Sequence, residues 1–191
     1  VVVGDEAGTA ITTGDGNVFT GYASGDALTL GSSNTAVGRD SLGADTKGNH
    51  SVAIGRNALT TQNFTSATDA YNTAVGSSAG AAITTGTFNT LIGGLSGDGA
   101  TTASYSTALG YGSLGGAMTG EGNVALGVNT LLVATSAHSN TAVGTSAMSS
   151  ATTGTNNVAV GRNALDANTT ASYNTALGYA SLGANTTASY N

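Results

Sequence analysis

The sequence predicts an all-β fold, a parallel β-solenoid of 17-residue coils running as a single repeat array over residues 1–191. Three observations predict it. Glycines recur at a fixed interval: Gly38, Gly55, then Gly76, Gly93, Gly110, Gly127, Gly144, Gly161 and Gly178, with Gly4 and Gly21 as worn earlier copies. A period of that size is the mark of a solenoid or array. Each glycine ends a short alternating segment such as Asn157-Val158-Ala159-Val160-Gly161, whose period of two is that of a strand. No window carries the three-and-four apolar spacing of an amphipathic helix.

Composition fits a thin stacked core. The 191 residues include 30 Gly, 3 Phe and no Pro, Trp or Cys, so apolar bulk comes chiefly from Ala, Val and Leu. Charged residues make up 7% of the chain, too few for a conventional soluble surface. The periodic Val and Thr argue against disorder, which goes with high net charge and few β-branched residues. The net charge is −6 and the four basic residues are scattered, which excludes the basic stripe of a nucleic-acid binder. No apolar run approaches the ~20 residues of a membrane-spanning helix. The chain begins at Val1 without Met and stops at Asn191, the first residue of a further repeat, which reads as a processed product or a segment of a longer chain.

Taken in order, Val1–Gly8 and Asn17–Gly21 are degenerate repeats, and Asn34–Leu59 is regular. Residues 60–71 hold a four-residue insertion, expected to bulge as a loop from one coil. From Asn72 onward the period does not slip, giving about eleven coils in a rod of roughly 50 Å at sheet spacing.

Columns carry more than rows. Four residues before each glycine stands Asn34, Asn72, Asn89, Asn123, Asn140, Asn157 or Asn174, with Ser51 and Ser106 as variants. At ~4.8 Å spacing these asparagines can form a hydrogen-bonded ladder along the axis, as in cross-β stacks. The glycine column supplies φ > 0 or close backbone approach at a turn. Between them lies an Ala and then an aliphatic residue. After the glycine come a small residue, a Leu or Gly, and a Thr column broken by Met118. Two strands per coil are expected, one at Thr-Ala-Val and one near the Leu/Thr region.

The segments Ser51-Val52-Ala53-Ile54-Gly55 and Asn157-Val158-Ala159-Val160-Gly161 resemble the YadA-like head repeats of trimeric autotransporter adhesins. The Asn-Thr-Ala-Val-Gly-x-x-Ser/Ala-Leu form also resembles repeats of phage tail fibres and other surface fibres. The resemblance covers essentially the whole chain. It implies a left-handed β-roll, three chains about one axis, and surface attachment outside the cell or on a virion. The adhesin repeat is nearer 14 residues than 17, so the extra length belongs in one turn. A thin core without disulfides or metals independently calls for partners above, below or beside the chain; joined to the trimer that the resemblance implies, the expectation is self-association as a homotrimer or an end-to-end filament.

No catalytic residues, metal site or cofactor are expected. His50 and His138 lie far apart along the rod. Asp5, Glu6 and Asp15 lack the glycine-rich nonapeptide of calcium β-rolls. Gly76-Ser77-Ser78-Ala79-Gly80 has the spacing of a nucleophile elbow but is a variant repeat. The aromatic column Tyr71, Phe88, Tyr105, Tyr173 and Tyr190 either protects the coil edge or, at Tyr105, Tyr173 and Tyr190, contacts a cell-surface glycan of a host receptor. Asn63, Asn168 and Asn185 head glycosylation sequons. The functional expectation is a structural fibre segment without catalysis, serving attachment or as a shaft. The alternative is an ice-binding solenoid, suggested by the Thr column.

Overall fold

The structure, a computed structural model, describes residues 1–191. It is an all-β parallel solenoid with a 17-residue spacing and no helix. The strands are β1 (Val2–Val3), β2 (Val18–Thr20), β3 (Thr35–Val37), β4 (Gly48–Asn49), β5 (Val52–Ile54), β6 (Thr68–Asp69), β7 (Thr73–Val75), β8 (Thr90–Ile92), β9 (Thr107–Leu109), β10 (Val124–Leu126), β11 (Thr141–Val143), β12 (Val158–Val160) and β13 (Thr175–Leu177). All but β4 and β6 form one 11-stranded parallel sheet, stacked in chain order. The register never slips: Ala36 pairs with Ala53, Ala53 with Ala74, and Ala142 with Ala159.

Each ordinary coil contributes one strand, not the two expected. After the central glycine the chain turns instead of extending, because two positions per coil sit in the left-handed region, and in most coils both are non-glycine. Asp40 and Leu42, Asn57 and Leu59, and Asn163 and Leu165 all have φ between 49° and 59°. A third such position precedes the asparagine and holds His50, Tyr71, Phe88, Tyr105 and Tyr173. Left-handed φ costs an L-residue about 1–2 kcal/mol, and the stacked coils offset that cost by repeated hydrogen bonds. Of 111 backbone–backbone bonds only 20 lie within strand ladders, so most of the cohesion comes from turns. Leu42 N–H, for example, donates to Ala58 carbonyl and Met148 N–H to Ala164 carbonyl, each reaching the next coil at 2.9 Å.

The core is one column of small side chains from the strands facing one column of large ones from the turns. Ala36 faces inward with Leu42, Ala53 with Leu59 and Ala159 with Leu165, all fully buried. Where the strand residue is large, the turn residue is glycine. Phe19 accompanies Gly25, where an added Cβ would meet the ring at 2.6–2.8 Å, and Leu91 accompanies Gly97, where it would meet the side chain at 2.8 Å. In these two coils the strand residue supplies the volume that the turn residue gives up, whereas at Ala74 and Gly80, both small, Leu59 and Leu91 of the neighbouring coils close on the glycine. Phe19→Ala alone is therefore expected to cost about 3–5 kcal/mol through the cavity it leaves. The double variant Phe19→Ala, Gly25→Leu, which recreates the Ala36–Leu42 arrangement, should recover most of that loss. Chemical denaturation of the two singles and the double checks the coupling.

The insertion departs from a simple bulge. Thr65, Ser66 and Ala67 form its one continuous exposed run of three, while Phe64 turns inward and is nearly buried. β6 then pairs in parallel with β4 as a separate two-stranded sheet. Beneath it, Asp45 and Gln62 occupy the interior position that Leu28 and Ile83 fill elsewhere. The Asp45 carboxylate accepts the N–H groups of Lys47, Gly48 and Phe64 at 3.0–3.4 Å and the Gln62 amide at 2.6 Å. A buried carboxylate is tolerated only when donors surround it in this way.

Candidate functional site

The surface holds no pocket and no converging group of three or more His, Asp or Glu side chains. Its chemistry lies in ranks, side chains of one type repeated at every coil.

The asparagine rank is internal. Asn34, Asn72, Asn89, Asn123, Asn140, Asn157 and Asn174 are essentially fully buried. Each Nδ2 crosses the coil interior to a carbonyl fourteen residues on, as in Asn140 to Gly154 at 2.8 Å and Asn89 to Ala103 at 2.7 Å. Each Oδ1 accepts the N–H of the corresponding residue one coil later, as Asn140 does from Asn157 at 2.9 Å and Asn34 from Ser51 at 2.8 Å. Side chains also join along the axis, with Asn157 Nδ2 donating to Asn140 Oδ1 at 3.1 Å and Asn89 Nδ2 to Asn72 Oδ1 at 3.2 Å. One side chain thus closes its own coil and ties it to the next. At Ser51 the rank is interrupted, and Gln62 substitutes by donating to Ser51 Oγ at 3.0 Å while accepting from Asn72 Nδ2 at 2.8 Å.

The glycine rank answers both demands of its position. Gly38, Gly55, Gly76, Gly93, Gly110, Gly127, Gly144, Gly161 and Gly178 have φ between 119° and 139°. A Cβ on Gly38 or Gly144 would also lie 2.7 Å from the carbonyl of the next glycine in the rank.

The threonine rank is committed to inter-coil bonds. Thr12, Thr29, Thr135, Thr152 and Thr169 donate their hydroxyl protons to the carbonyl of the next rank member at 3.0–3.2 Å. At the break the Met118 side chain is fully buried and Thr119 takes over, donating to Thr135 carbonyl at 3.3 Å.

The aromatic rank stacks on itself. His50, Tyr71, Phe88 and Tyr105 form a run with centroid distances of 4.9, 5.5 and 5.2 Å, and Tyr173 pairs with Tyr190 at 5.0 Å. Interplanar angles of 4–21° make these parallel stacks, so the inner rings are covered by their neighbours.

The outer sheet face is a uniform surface that runs the length of the rod. Val37, Ile54, Val75, Ile92, Leu109, Leu126, Val143, Val160 and Leu177 form an aliphatic rank, beside a second rank of Thr and Val, and all are exposed or half-buried.

Of the sequon asparagines, Asn63 is exposed and Asn185 half-buried. Asn168 is fully buried, its side chain accepting Ala171 N–H at 3.0 Å and donating to Ala171 carbonyl at 3.2 Å. That burial corrects the expectation of a glycan at Asn168, since no branch could leave the coil there.

Electrostatic features are few. Burial raises the Asp98 carboxyl above the ordinary carboxylate range, opposed by hydrogen bonds from its own N–H and that of Gly99. A raised folded-state value means the ionised form is penalised, so Asp98 weakens the fold at neutral pH and this cost disappears as pH falls through that value. The hydrogen bond to Glu6, then that group's charge, raises the Tyr22 hydroxyl above its usual value. The exposed Arg39–Asp40 pair, at 2.9 Å, contributes little.

Comparison with protein-family models, with curated proteins and with solved structures gives no match. The class that fold and ranks define is a β-solenoid repeat protein of about ten turns. No helix is long and apolar enough to cross a membrane.

Proposed function

We propose that the chain is a structural repeat segment of an extracellular or virion fibre, a left-handed β-roll assembled as a homotrimer through its outer sheet face. The aliphatic rank from Val37 to Leu177 carries this reading. At sheet spacing the face is roughly 50 Å long and about 10 Å wide, some ~500 Å² of mostly apolar surface, at the upper end of what a monomer leaves uncovered. Its side chains repeat at every coil, and a second copy of the chain offers ridges with the same axial repeat. The number of copies and the handedness follow from the resemblance to trimeric adhesin heads. On this reading the segment supports attachment and carries no catalytic group.

An ice-binding role has less support. The Thr-column hydroxyl protons are held by neighbouring carbonyls, and the exposed sheet face mixes Thr with Val, Ile and Leu of unequal size.

Light scattering after size exclusion tests the proposal. The expected mass is three times the chain's 18.3 kDa. Leu126→Lys with Val143→Lys, on adjacent strands of the face, should yield a folded monomer, because burying unpaired ammonium groups costs several kcal/mol. A wild-type monomer rejects the assembly, and polydisperse polymers would point to end-to-end filaments instead.

A further inference from the structure

The aromatic rank is interrupted after Tyr105, which leaves that ring without a stacked neighbour on its C-terminal side. Tyr71 and Phe88 each have a ring stacked on both sides. Tyr105 has Phe88 on one side and, one coil later in the same column, Gly122 on the other. A Cβ on Gly122 would have only Ser139 within 4 Å, its nearest atom Oγ at 3.7 Å, so the space beside Tyr105 is free. The exposures agree: Tyr105 is 61% exposed against 49% for Tyr71 and 44% for Phe88. The column stays without aromatics through Ser139 and Asn156 until Tyr173, four coils on and roughly 19 Å away.

The column beside the open face carries polar residues at the next two coils. Glu121 immediately precedes Gly122 and is exposed. His138, one coil further, accepts the Glu121 N–H on Nδ1 at 3.0 Å. That bond assigns the neutral imidazole's proton to Nε2, so the column offers a donor at His138 and a carboxylate acceptor at Glu121. A flat π face with an acceptor and a donor in the adjoining column matches a pyranose, whose C–H face is apolar and whose rim carries neighbouring hydroxyls. The carboxylate and the chain's net charge of −6 favour neutral over anionic sugars.

We propose that Tyr105, Gly122, Glu121 and His138 form a carbohydrate-binding shelf for a neutral pyranose, with the free notch toward Tyr173 admitting a short oligosaccharide. Tyr105 supplies the stacking platform, Gly122 the space, and Glu121 and His138 the hydroxyl contacts. Tyr173 and Tyr190, stacked on one another, are not part of the shelf. The assignment does not depend on the fibre reading, since it uses one chain and a face other than the aliphatic rank.

Saturation-transfer NMR on the intact chain, with the methyl glycosides of glucose, galactose, mannose and N-acetylglucosamine as probes, tests it. At least one probe is expected to receive saturation on the C–H protons of one ring face. Tyr105→Ala should weaken that probe's affinity about tenfold. Gly122→Asn should abolish the signal while preserving the fold. Its φ of 69° is close to the 57° of Asn156 in the same column, and its amide would cover the open face of Tyr105 without offering a new ring. Absence of transfer to every probe, or equal transfer in Gly122→Asn, overturns the proposal. Light scattering of the same sample reports assembly separately, so failure of the shelf and failure of the trimer are distinguishable.

Discussion

Replacing Gly144 with alanine is expected to destabilise the rod by about 4 kcal/mol. Two costs add: a φ of 126° that L-residues rarely adopt, worth about 1–3 kcal/mol, and a Cβ 2.7 Å from the Gly161 carbonyl, worth about 1–3 kcal/mol as overpacking. Neither cost is relieved by a rotamer change, because both involve backbone. The same substitution at Gly178 separates them, since φ is 119° there but nothing lies within 4 Å of the added carbon. Gly178→Ala should therefore show only the dihedral cost, and the difference between the two variants measures how tightly the coils stack. Urea denaturation followed by circular dichroism is the measurement. Equal losses at the two positions would show that close approach along the rank contributes nothing.

Asn140→Ala is expected to cost about 3–5 kcal/mol, from two or more buried partners left unpaired at about 1–3 kcal/mol each. The Gly154 carbonyl loses its donor and the Asn157 N–H loses its acceptor, both in the interior of the rod. The damage then falls on two neighbouring coils at once, and amide hydrogen exchange should show faster exchange at Asn157 and in the adjoining strands before the ends are affected. Ser106 gives an internal comparison: its Oγ accepts the Asn123 N–H at 3.4 Å, longer than the asparagine bonds, and has no amide to send across the coil. Ser106→Asn should accordingly stabilise the array. A loss on that substitution, or no change in Asn140→Ala, would remove the rank from its structural role.

The two variants act on columns already legible in the sequence. A residue type that returns at every coil, against freely varying neighbours, marks a position whose environment returns too. That is why Asn140, Gly144 and Thr152 could be picked out from the period alone. The aromatic column was equally visible, but whether Tyr105 stood free or stacked was not, because that depends on ring orientation at the next coil and on the gap at Gly122. Asn168 shows the reverse error: a sequon is a local pattern, and burial is not a local property.

Period, strand position, parallel register and the asparagine column follow from the sequence, because each reflects the same physical constraint applied at every coil. Tertiary structure decided the rest. The second segment of each coil is a run of turns, because stacking bonds hold Asp40, Leu42 and their equivalents at positive φ against their intrinsic preference. Gly25 and Gly97 look like lost leucines until Phe19 and Leu91 are seen in the space they vacate. Gln62 carries no signal in the sequence, and only the closed coil places it under Ser51 and beside Asp45. In each case the deciding partner lies in another part of the coil or in the next one, and only closing and stacking the coils brings the two together.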